Sequence, residues 1–316
     1  MNIAYRFRIY PTEEQKILLG KTFGCCRFLY NQMLNDKIRE YEKTKKMLKN
    51  TPAMYKEEYP FLKEVDSLAL ANVQLHLEKA YKNFFRDSKI GFPRFKTKHH
   101  SKNSYTTNVV NGNILVESKR IRLPKLKWIA MKKHREPAEG LRLKSVTVSM
   151  EPSGKYFASL LYEGYSCENQ AAEPDYSTAK ILGIDYAMQG MAVFSEKVET
   201  EEAGFFRKNE KRLAREQRKL SRCVRGSHNY ELQKKKVARC HEKIRNQRRD
   251  HLHKLSRKIA DGYDAAAVED IDMKAMGQCL HFGKSVQDNG YGMFREMLDY
   301  KLAWKGKKMV KADRFF

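Results

Sequence analysis

The chain has 316 residues, of which 63 are lysine or arginine and 38 are aspartate or glutamate, so its formal net charge is +25. A hydrophobic content of 41% is enough for a packed core in each of two or three domains and excludes a wholly disordered chain. The excess of positive charge predicts a polyanionic partner, and nucleic acid is the first candidate. No apolar run approaches the roughly 18 residues of a membrane-spanning helix, so we expect a cytoplasmic protein with no membrane partner.

The cysteines do not predict a zinc site. None of the six belongs to a C-x-x-C pair, the usual spacing of structural zinc ligands, and two of them are adjacent in sequence. We therefore expect reduced, mostly structural thiols and no bound zinc. The six are Cys25, Cys26, Cys167, Cys223, Cys240 and Cys279.

The N-terminal part of the chain predicts one strand followed by helices. Residues 3–9 alternate apolar and cationic side chains, as in a strand with one buried face. Thr12 and Gln15 have the spacing of a capping box, which predicts the start of a long helix. Ser67 is a candidate N-cap for another helix, because apolar residues recur after it at steps of three and four positions. Residues 12 to about 88 are therefore predicted to be helical.

Strand patterns dominate residues 113–164. Residues 146–150 and 156–160 alternate apolar and polar side chains on either side of the turn sequence Pro152-Ser153-Gly154, which is typical of a β-hairpin. Together with the N-terminal strand, these patterns predict a small β-barrel that is interrupted by the helical segment.

Residues 91–100 interleave aromatic and basic side chains, and their glycine and proline favour an irregular loop. Such a segment can stack nucleobases and pair with phosphates. A solvated basic loop anchored by Phe92 and Phe95 fits the same residues, so both interpretations stay open.

A domain boundary is predicted at residues 166–178, which are polar and nearly free of aliphatic side chains. After it, the apolar run 181–184 is typical of a strand that ends at Asp185. Residues 188–190 predict a turn into a second strand at 191–194, so this region is expected to form a hairpin.

The most strongly charged part of the chain is residues 207–258, with 20 lysines and arginines against 5 acidic residues, a net charge of +15. Two helical patterns meet near residues 225–227, and an apolar stripe at helical spacing continues through both. We interpret this region as a packed helical hairpin with a cationic outer face. So many positive side chains repel one another unless an anion neutralises them. We therefore favour contact with phosphates over a merely solvated surface.

Two acidic residues, Asp185 and Glu269, each follow a short apolar strand pattern. On neighbouring strands of one sheet, their carboxylates would lie side by side. Carboxylates are ligands for Mg²⁺, and two-metal nucleases use such acids to stabilise the attacking and leaving oxygens of a phosphodiester. In the alternative interpretation, Asp185 caps a turn and Glu269 is an ordinary carboxylate at a strand end.

Motifs along the whole chain resemble those of the TnpB family, the RNA-guided nucleases of insertion sequences and relatives of the type V CRISPR effectors. Each motif is weak alone, but the ordered set is specific. The motifs are Tyr5-Arg6-Phe7-Arg8-Ile9-Tyr10-Pro11-Thr12, Arg27-Phe28-Leu29-Tyr30-Asn31, Lys79-Ala80-Tyr81-Lys82-Asn83-Phe84-Phe85, Phe92-Pro93-Arg94-Phe95-Lys96, Gly183-Ile184-Asp185, Leu220-Ser221-Arg222, Asn246-Gln247-Arg248-Arg249-Asp250-His251-Leu252-His253-Lys254 and Val268-Glu269-Asp270-Ile271.

The resemblance implies a multidomain protein with α+β and α/β parts. A wedge-like β-barrel is expected at residues 1–11 and 111–166, with a helical recognition lobe at 12–110 between its two pieces. A linker at 167–178 then leads to a RuvC-type nuclease domain of RNase H fold at 179–316, into which the basic helical hairpin is inserted.

The resemblance also implies that Asp185 and Glu269 match the first and second catalytic positions of the family. The family pattern continues after residues 310–316 into a four-cysteine zinc ribbon and a third catalytic aspartate, so we expect neither of these in the 316 residues. Asp299 and Asp313 match segments before the ribbon and are not substitutes. The nuclease domain is therefore expected to be truncated and to bind Mg²⁺ weakly if it binds it.

Members of the family carry a guide RNA, read a short target-adjacent motif on double-stranded DNA and leave sequence recognition to guide pairing. With two of three carboxylates, binding should persist while cleavage is lost, so the leading hypothesis is a nuclease-inactive, RNA-guided transcriptional repressor associated with the nucleoid. One alternative is an active RNA-guided DNA endonuclease or a fragment of one. Another is a basic RNA-binding protein without guide-directed DNA recognition.

Candidate nucleic-acid contacts follow from the same reasoning. Arginine is favoured where a guanidinium can bind phosphate through two parallel hydrogen bonds. A packed or merely solvated helix surface is the alternative for the DNA candidates. The DNA candidates are Ser67, Asn72, Gln74 and Lys79, and the RNA candidates are Arg94, Lys96, Arg222, Arg248 and Arg249.

Overall fold

The computed structural model describes residues 2–164, 178–187, 190–200, 204–272 and 288–312. The chain divides into two units, Met1–Tyr165 and Ser166–Phe316, which we call the N-terminal and C-terminal units. Nearly all of the predicted linker, two residues of the predicted turn at 188–190, and Asp313 lie outside the described residues. No helix among the described residues is long and apolar enough to cross a bilayer.

A seven-stranded antiparallel sheet forms the frame of the N-terminal unit. Its strands are β1 (Ile3–Tyr10), β2 (Asn103–Asn108), β3 (Leu115–Val116), β4 (Arg120–Leu123), β5 (Lys127–Lys132), β6 (Arg142–Met150) and β7 (Tyr156–Glu163). They are ordered β2-β6-β7-β1-β5-β4-β3. Among residues 2–164 no ladder joins the end strands β2 and β3, so the closed barrel stays a prediction.

The predicted first strand is confirmed, with its alternating faces. Phe7 and Ile9 of β1 are buried in the core. On the other face, the guanidinium of Arg6 binds the Glu151 carboxylate at 2.5 Å and lies 4.0 Å from the centroid of the Phe157 ring. Part of the cationic face is therefore neutralised within the unit.

The hairpin predicted at residues 146–160 is also confirmed. Strands β6 and β7 pair from Arg142 opposite Glu163 to Met150 opposite Tyr156. The intervening turn is closed by the Glu151 amide, which donates to the carbonyl of Lys155 at 2.8 Å.

Helices α1 (Glu13–Thr44), α2 (Tyr55–Glu58) and α3 (Ser67–Arg86) follow the first strand. The capping box is confirmed, because the Thr12 hydroxyl accepts from the Gln15 amide at 3.3 Å and the Gln15 side chain accepts from the Thr12 amide at 3.0 Å. The Gln15 side-chain amide also donates to the carbonyls of Leu126 and Trp128, both at 2.9 Å, which ties the start of α1 to the sheet. Buried side chains of α1, α3 and the strands form one core.

The prediction that Ser67 caps α3 was wrong by one residue. Asp66 is the N-cap, and its carboxylate accepts from the Leu68 amide at 3.0 Å. Asp66 and Ser67 are both residue types that cap helices well, and the extended backbone of Asp66 decides which of them does so here.

Strand β2 lies within residues 12–110, which were predicted to form a helical lobe. Tyr105 and Thr107 of β2 are buried, and the strand pairs with β6 along its whole length. The sequence of β2, Asn-Ser-Tyr-Thr-Thr-Asn, is mostly polar and gives no clear strand pattern. Its strand conformation depends on the backbone hydrogen bonds to β6.

The C-terminal unit is built around a mixed four-stranded sheet. Its elements are β8 (Ile181–Ala187), β9 (Met191–Phe194), α4 (Phe205–Ser221), α5 (His228–Gly262), β10 (Ala265–Glu269), α6 (Tyr291–Trp304) and β11 (Lys308–Ala312). The strand order is β11-β10-β8-β9. Strand β10 is parallel to β8 and β11, and β8 and β9 form the predicted antiparallel hairpin. Residues of α5 and α6 pack against the buried side chains of β8 and β10.

The two helices predicted in the basic region are confirmed as α4 and α5. Leu213 of α4 and Ile244 of α5 are buried in the hairpin. The side-chain amide of Gln233 donates to the carboxylate of Glu216 at 2.8 Å and to its carbonyl at 3.0 Å. This apolar and polar seam holds the hairpin together, while most of its lysine and arginine residues face solvent.

The start of α4 is capped by a residue about 80 positions later in the chain. The local N-cap, Gly204, has no side chain to offer, and the carboxylate of Asp288 accepts from the amides of Phe206 at 2.9 Å and Arg207 at 3.4 Å. Arg248 of α5 forms an ion pair with the same carboxylate at 3.5 Å. Asp288 thus joins α4, α5 and the segment before α6.

Lys301 of α6 carries a perturbed ammonium group. It donates to the carbonyl of His253 at 2.6 Å and to the hydroxyl of Ser256 at 2.7 Å, both on α5. Burial, with a smaller effect from Arg257, lowers the pKa of Lys301 from 10.5 to about 8.

We expect the stability of the C-terminal unit to rise between pH 8 and 10.5 through Lys301. In this window the unfolded chain keeps the Lys301 proton and the folded chain loses it, so the free energy of unfolding increases with pH. Denaturant titrations across the window should show that Lys301→Met removes this increase, while Lys305→Met, at a more exposed lysine, keeps it. An identical pH dependence in wild type and Lys301→Met would contradict the expectation.

Candidate functional site

The two predicted acidic residues lie on neighbouring parallel strands. Strands β8 and β10 pair from Ile181 opposite Ala265 to Ile184 opposite Val268. The next residues on the two strands are Asp185 and Glu269. Side chains at the same register of adjacent strands point to the same face of a sheet, so both carboxylates project from one face. Glu269 is the last residue of β10, as predicted. The prediction that the first of these strands ends at Asp185 was wrong, because β8 continues to Ala187 and Asp185 lies opposite Val193 of β9.

An open pocket of about 390 Å³ contains both residues. Among its lining residues, the amide of Gly183 donates to the Ser195 hydroxyl at 2.9 Å. A Cβ at Gly183 would lie only 3.3 Å from the Cβ of Ser195, so a glycine allows this close approach. The other residues that line the pocket are Ile184, Val193, Phe194, Ala267, Val268 and Ala312.

The acidic residue next to Glu269 has a different environment. Asp270 forms ion pairs with Arg295 at 3.1 Å and Lys311 at 3.4 Å. Arg295 also donates to the carbonyl of Glu269 at 3.3 Å. Asp270 and Arg295 therefore hold the end of β10 in place, whereas Asp185 and Glu269 line the pocket.

Tyr291, at the start of α6, is a residue that sequence reasoning missed. Its ring is fully buried and lies 5.1 Å from the ring of Tyr186. Burial raises the pKa of Tyr291 to about 12, and the negative charges of Asp185 and Glu269 contribute in the same direction. The phenol therefore stays neutral near the acidic pair. No motif in the sequence distinguishes it from other core tyrosines.

The chemistry of the acidic pair fits one magnesium ion. Mg²⁺ is commonly bound by one or two carboxylates, with water and substrate phosphate completing its ligands. Asp185 and Glu269 supply that number. Within the described ranges, no three His, Cys, Asp or Glu side chains gather into a cluster that could hold a metal.

The cysteines at the start of the chain are buried thiols. Burial raises the pKa of Cys26 to about 12, and the pKa of Cys25 is raised by the same cause. The thiolate is the form that binds zinc, and burial disfavours it.

Two of the predicted DNA contacts, Ser67 and Lys79, are exposed on α3. The hydroxyl of Ser67 accepts from the ammonium of Lys56 at 3.2 Å. Both side chains are accessible to a ligand, and their contact with DNA stays a prediction.

The other two predicted DNA contacts make hydrogen bonds within α3. Asn72 is buried, and its side-chain amide donates to the carbonyl of Leu68 at 2.8 Å. Gln74 donates to the Glu78 carboxylate at 2.8 Å. These internal bonds favour a structural role for both, although Asn72 also lines a pocket.

Lys96, predicted to bind RNA, lines the same pocket of about 280 Å³ as Asn72. Asn31 fixes the backbone of Lys96 with two hydrogen bonds of 2.8 Å. The ammonium lies 3.8 Å from the centroid of the Tyr30 ring, and burial lowers the pKa of Lys96. The pocket is therefore lined by one predicted DNA contact, Asn72, and one predicted RNA contact, Lys96. The cations Arg27 and Lys102 also line it.

The four predicted arginine contacts differ in accessibility. Arg94, Arg222 and Arg249 are exposed, and the guanidinium of Arg249 also donates to the ring of His253 at 3.4 Å. Arg248 is partly buried, and its guanidinium binds Asp288. Adjacent arginines in one motif therefore have opposite surroundings, because they lie on different sides of α5.

Two family models match the chain. The model described as "Probable transposase" matches residues 164–279, and the model described as "Helix-turn-helix domain" matches residues 1–46. In the structure, residues 1–46 contain strand β1 and the single helix α1, so that second description does not fit the local structure.

Two relatives align with nearly the whole chain. A Streptomyces pristinaespiralis protein named "Putative RNA-guided DNA endonuclease" is 31% identical over 99% of this chain and 78% of its own length. The Escherichia coli K12 protein InsQ, which bears the same name, is 30% identical over 97% of this chain and 79% of its own length.

The fold is similar to that of a chain in a cryo-EM structure of a Cas12f1–sgRNA–target DNA complex. The TM-score is 0.56 at 11% sequence identity, over 99% of this chain and 89% of that one. At this identity, the likeness concerns the fold alone. The two sequence matches identify the family as well as the fold, because they extend over both units. They show that the chain belongs to the TnpB family of transposon-encoded, RNA-guided DNA endonucleases.

Proposed function

We propose that this chain binds a guide RNA and, with it, a matching site on double-stranded DNA beside a short adjacent motif. The two relatives are named for RNA-guided action on DNA, and the similar Cas12f1 fold was solved with RNA and target DNA bound. The observation in this chain that carries the proposal is the charge of the hairpin formed by α4 and α5.

The charge of the hairpin favours an anionic partner. Residues 207–258 hold 20 lysines and arginines and 5 acids, so 15 positive charges remain even if every acid neutralises one cation. One of those acids, Glu216, is buried and bound to Gln233. A polynucleotide backbone offers one phosphate per nucleotide and releases counterions when lysine and arginine neutralise it.

The proposal includes a limit on catalysis by these 316 residues. Asp185 and Glu269 would hold one Mg²⁺, which supplies positive charge to a phosphodiester oxygen when bound. Strand cleavage by two metals needs ligands for a second ion as well. We therefore propose that these residues bind the target DNA without cleaving it efficiently, and that the uncut complex blocks transcription.

The second candidate function is active DNA cleavage guided by RNA. The adjacent, parallel placement of Asp185 and Glu269 in an open pocket favours it. In this case a further oxygen ligand completes the site.

One experiment separates the two candidates. The purified protein is incubated with Mg²⁺, a matched DNA duplex and the guide RNA identified by sequencing the RNA that copurifies with it. We expect a shifted, intact duplex, with the same affinity for Asp185→Ala and no shift of a mismatched duplex. Nicks that disappear in Asp185→Ala would establish the cleavage function instead.

The copurified RNA also tests whether the protein is guided at all. One discrete RNA species with a shared guide portion supports the proposal. A broad mixture of cellular RNA would show a general RNA-binding protein and contradict guided DNA binding.

A further inference from the structure

The C-terminal end of α3 and the loop after it hold a cluster of four aromatic rings, Tyr81, Phe84, Phe85 and Phe92, which we call the Phe85 cluster. Phe92 contacts Tyr81 and Phe84 edge-to-face, with both centroid distances 5.5 Å. Phe85 lies 5.3 Å from Phe84 and 6.3 Å from Tyr81, nearly parallel to the latter. The four rings thus support one another.

The position of the Phe85 cluster leaves much apolar surface in water. Tyr81 is buried and anchors the cluster, but Phe85 is 69% exposed and Phe92 is 45% exposed. Neighbouring aromatic rings that are exposed to water are typical of a binding surface rather than of a core.

The surroundings of the Phe85 cluster are strongly cationic. From Lys79 to Lys102 the chain has eight lysines and arginines and a single acid, Asp87. The Asp87 carboxylate accepts from the backbone amide of Lys89 at 3.0 Å. Five of the cations are exposed and form no ion pair with any residue that the structure describes. They are Lys82, Arg86, Lys89, Arg94 and Lys98.

A second aromatic cluster in the same unit lies outside this cationic segment. Phe28, Tyr59 and Phe61 contact one another at 4.8 to 6.0 Å, and Phe61 is 42% exposed. Close to it in sequence, the acids Glu57, Glu58 and Glu64 balance the cations Arg27, Lys56 and Lys63. The two clusters share aromatic chemistry and differ in the charge around them, so the second serves as an internal control.

We propose that the Phe85 cluster is a stacking platform for unpaired nucleotides of RNA, with the phosphates along the surrounding cations. An exposed aromatic ring stacks on the face of a nucleobase. In a duplex the bases are stacked on one another and their faces are covered, so unpaired RNA is the form that fits. The inference deepens the proposed function, since the unpaired segment would belong to the guide RNA.

The test compares single-stranded and duplex RNA of equal length, of unrelated sequence, with full-length protein freed of copurified RNA. We expect Phe85→Ala to weaken binding of the single strand about 5- to 150-fold and to leave duplex binding unchanged. Phe85→Trp should retain binding, because it keeps an aromatic face. Phe61→Ala should bind both RNAs as the wild type does, and both alanine variants should keep the wild-type melting temperature.

Three results would overturn the inference. The first is unchanged single-strand binding by Phe85→Ala, and the second is an equal loss for single strand and duplex. The third is a concentration-dependent dimer of the RNA-free protein that Phe85→Ala abolishes, which would show that a second copy covers the cluster. The RNA in this test is not the guide RNA, so its binding does not depend on the proposed function. If single-strand binding depends on Phe85 but the protein does not bind guide-matched DNA, the inference stands and only the proposed function is overturned.

Discussion

Asp288→Ala is expected to lower the free energy of unfolding of the C-terminal unit by about 3 to 5 kcal/mol, as when one partner of a buried ion pair is removed. The Asp288 side chain is only 4% exposed. Its loss leaves the partly buried Arg248 guanidinium without this partner and removes the acceptors of two amides at the start of α4. A helix start that loses its cap is itself destabilised.

The measurement is hydrogen exchange of the α4 amides together with denaturant unfolding. We expect the amides of Phe206 and Arg207 to lose protection in Asp288→Ala, and Asp288→Asn to lose less stability because it keeps one acceptor. Asp261→Ala is the matched control, since that carboxylate is 45% exposed and pairs with Lys305 at the surface. Exposed pairs contribute about 0 to 1 kcal/mol. Equal effects of the Asp261 and Asp288 variants would contradict the capping role.

The affinity for RNA is expected to fall about 10³- to 10⁵-fold when monovalent salt rises from about 50 to 200 mM, the range for a protein that makes about 6 to 10 phosphate contacts. The cations of α4 and α5 and those around Phe85 exceed that number. The physical reason is entropic, because salt reduces the gain from releasing condensed counterions. A plot of log affinity against log salt concentration measures the effect, and a slope near zero would contradict it.

Single arginine variants refine this expectation. Arg222→Gln and Arg249→Gln should each reduce the magnitude of the salt slope by about 0.7 to 0.9, with unchanged stability, because each removes about one exposed phosphate contact. Arg248→Gln should instead destabilise the C-terminal unit, since its partner Asp288 is buried. A stability loss in Arg249→Gln equal to that in Arg248→Gln would contradict the different placement of these neighbours.

Local sequence patterns predicted much of the fold. The capping box of Thr12 and Gln15, the alternation in β1 and the hairpin of β6 and β7 all appear in the structure as expected. The break between α4 and α5 was also predicted. Each of these features depends on residues within a few positions of one another, so the chain carries its signal locally.

The candidate acidic site was predicted from a weaker signal. The apolar runs before Asp185 and Glu269 indicated two strands, and only the pairing of β8 with β10 placed the residues side by side. The neighbouring Tyr291, from α6, has no local signature and was missed. Its place beside the acids follows from the packing of α6 on the sheet.

The sequence by itself determined the elements with local signals, the cationic hairpin and the family to which the chain belongs. Only the tertiary structure decided that the polar segment of β2 joins the sheet and that Arg248 binds Asp288 while its neighbour Arg249 is exposed. The physical reason is that these outcomes depend on hydrogen bonds, ion pairs and burial between distant residues. Contacts that span tens of positions leave no pattern that a local reading of the chain can detect.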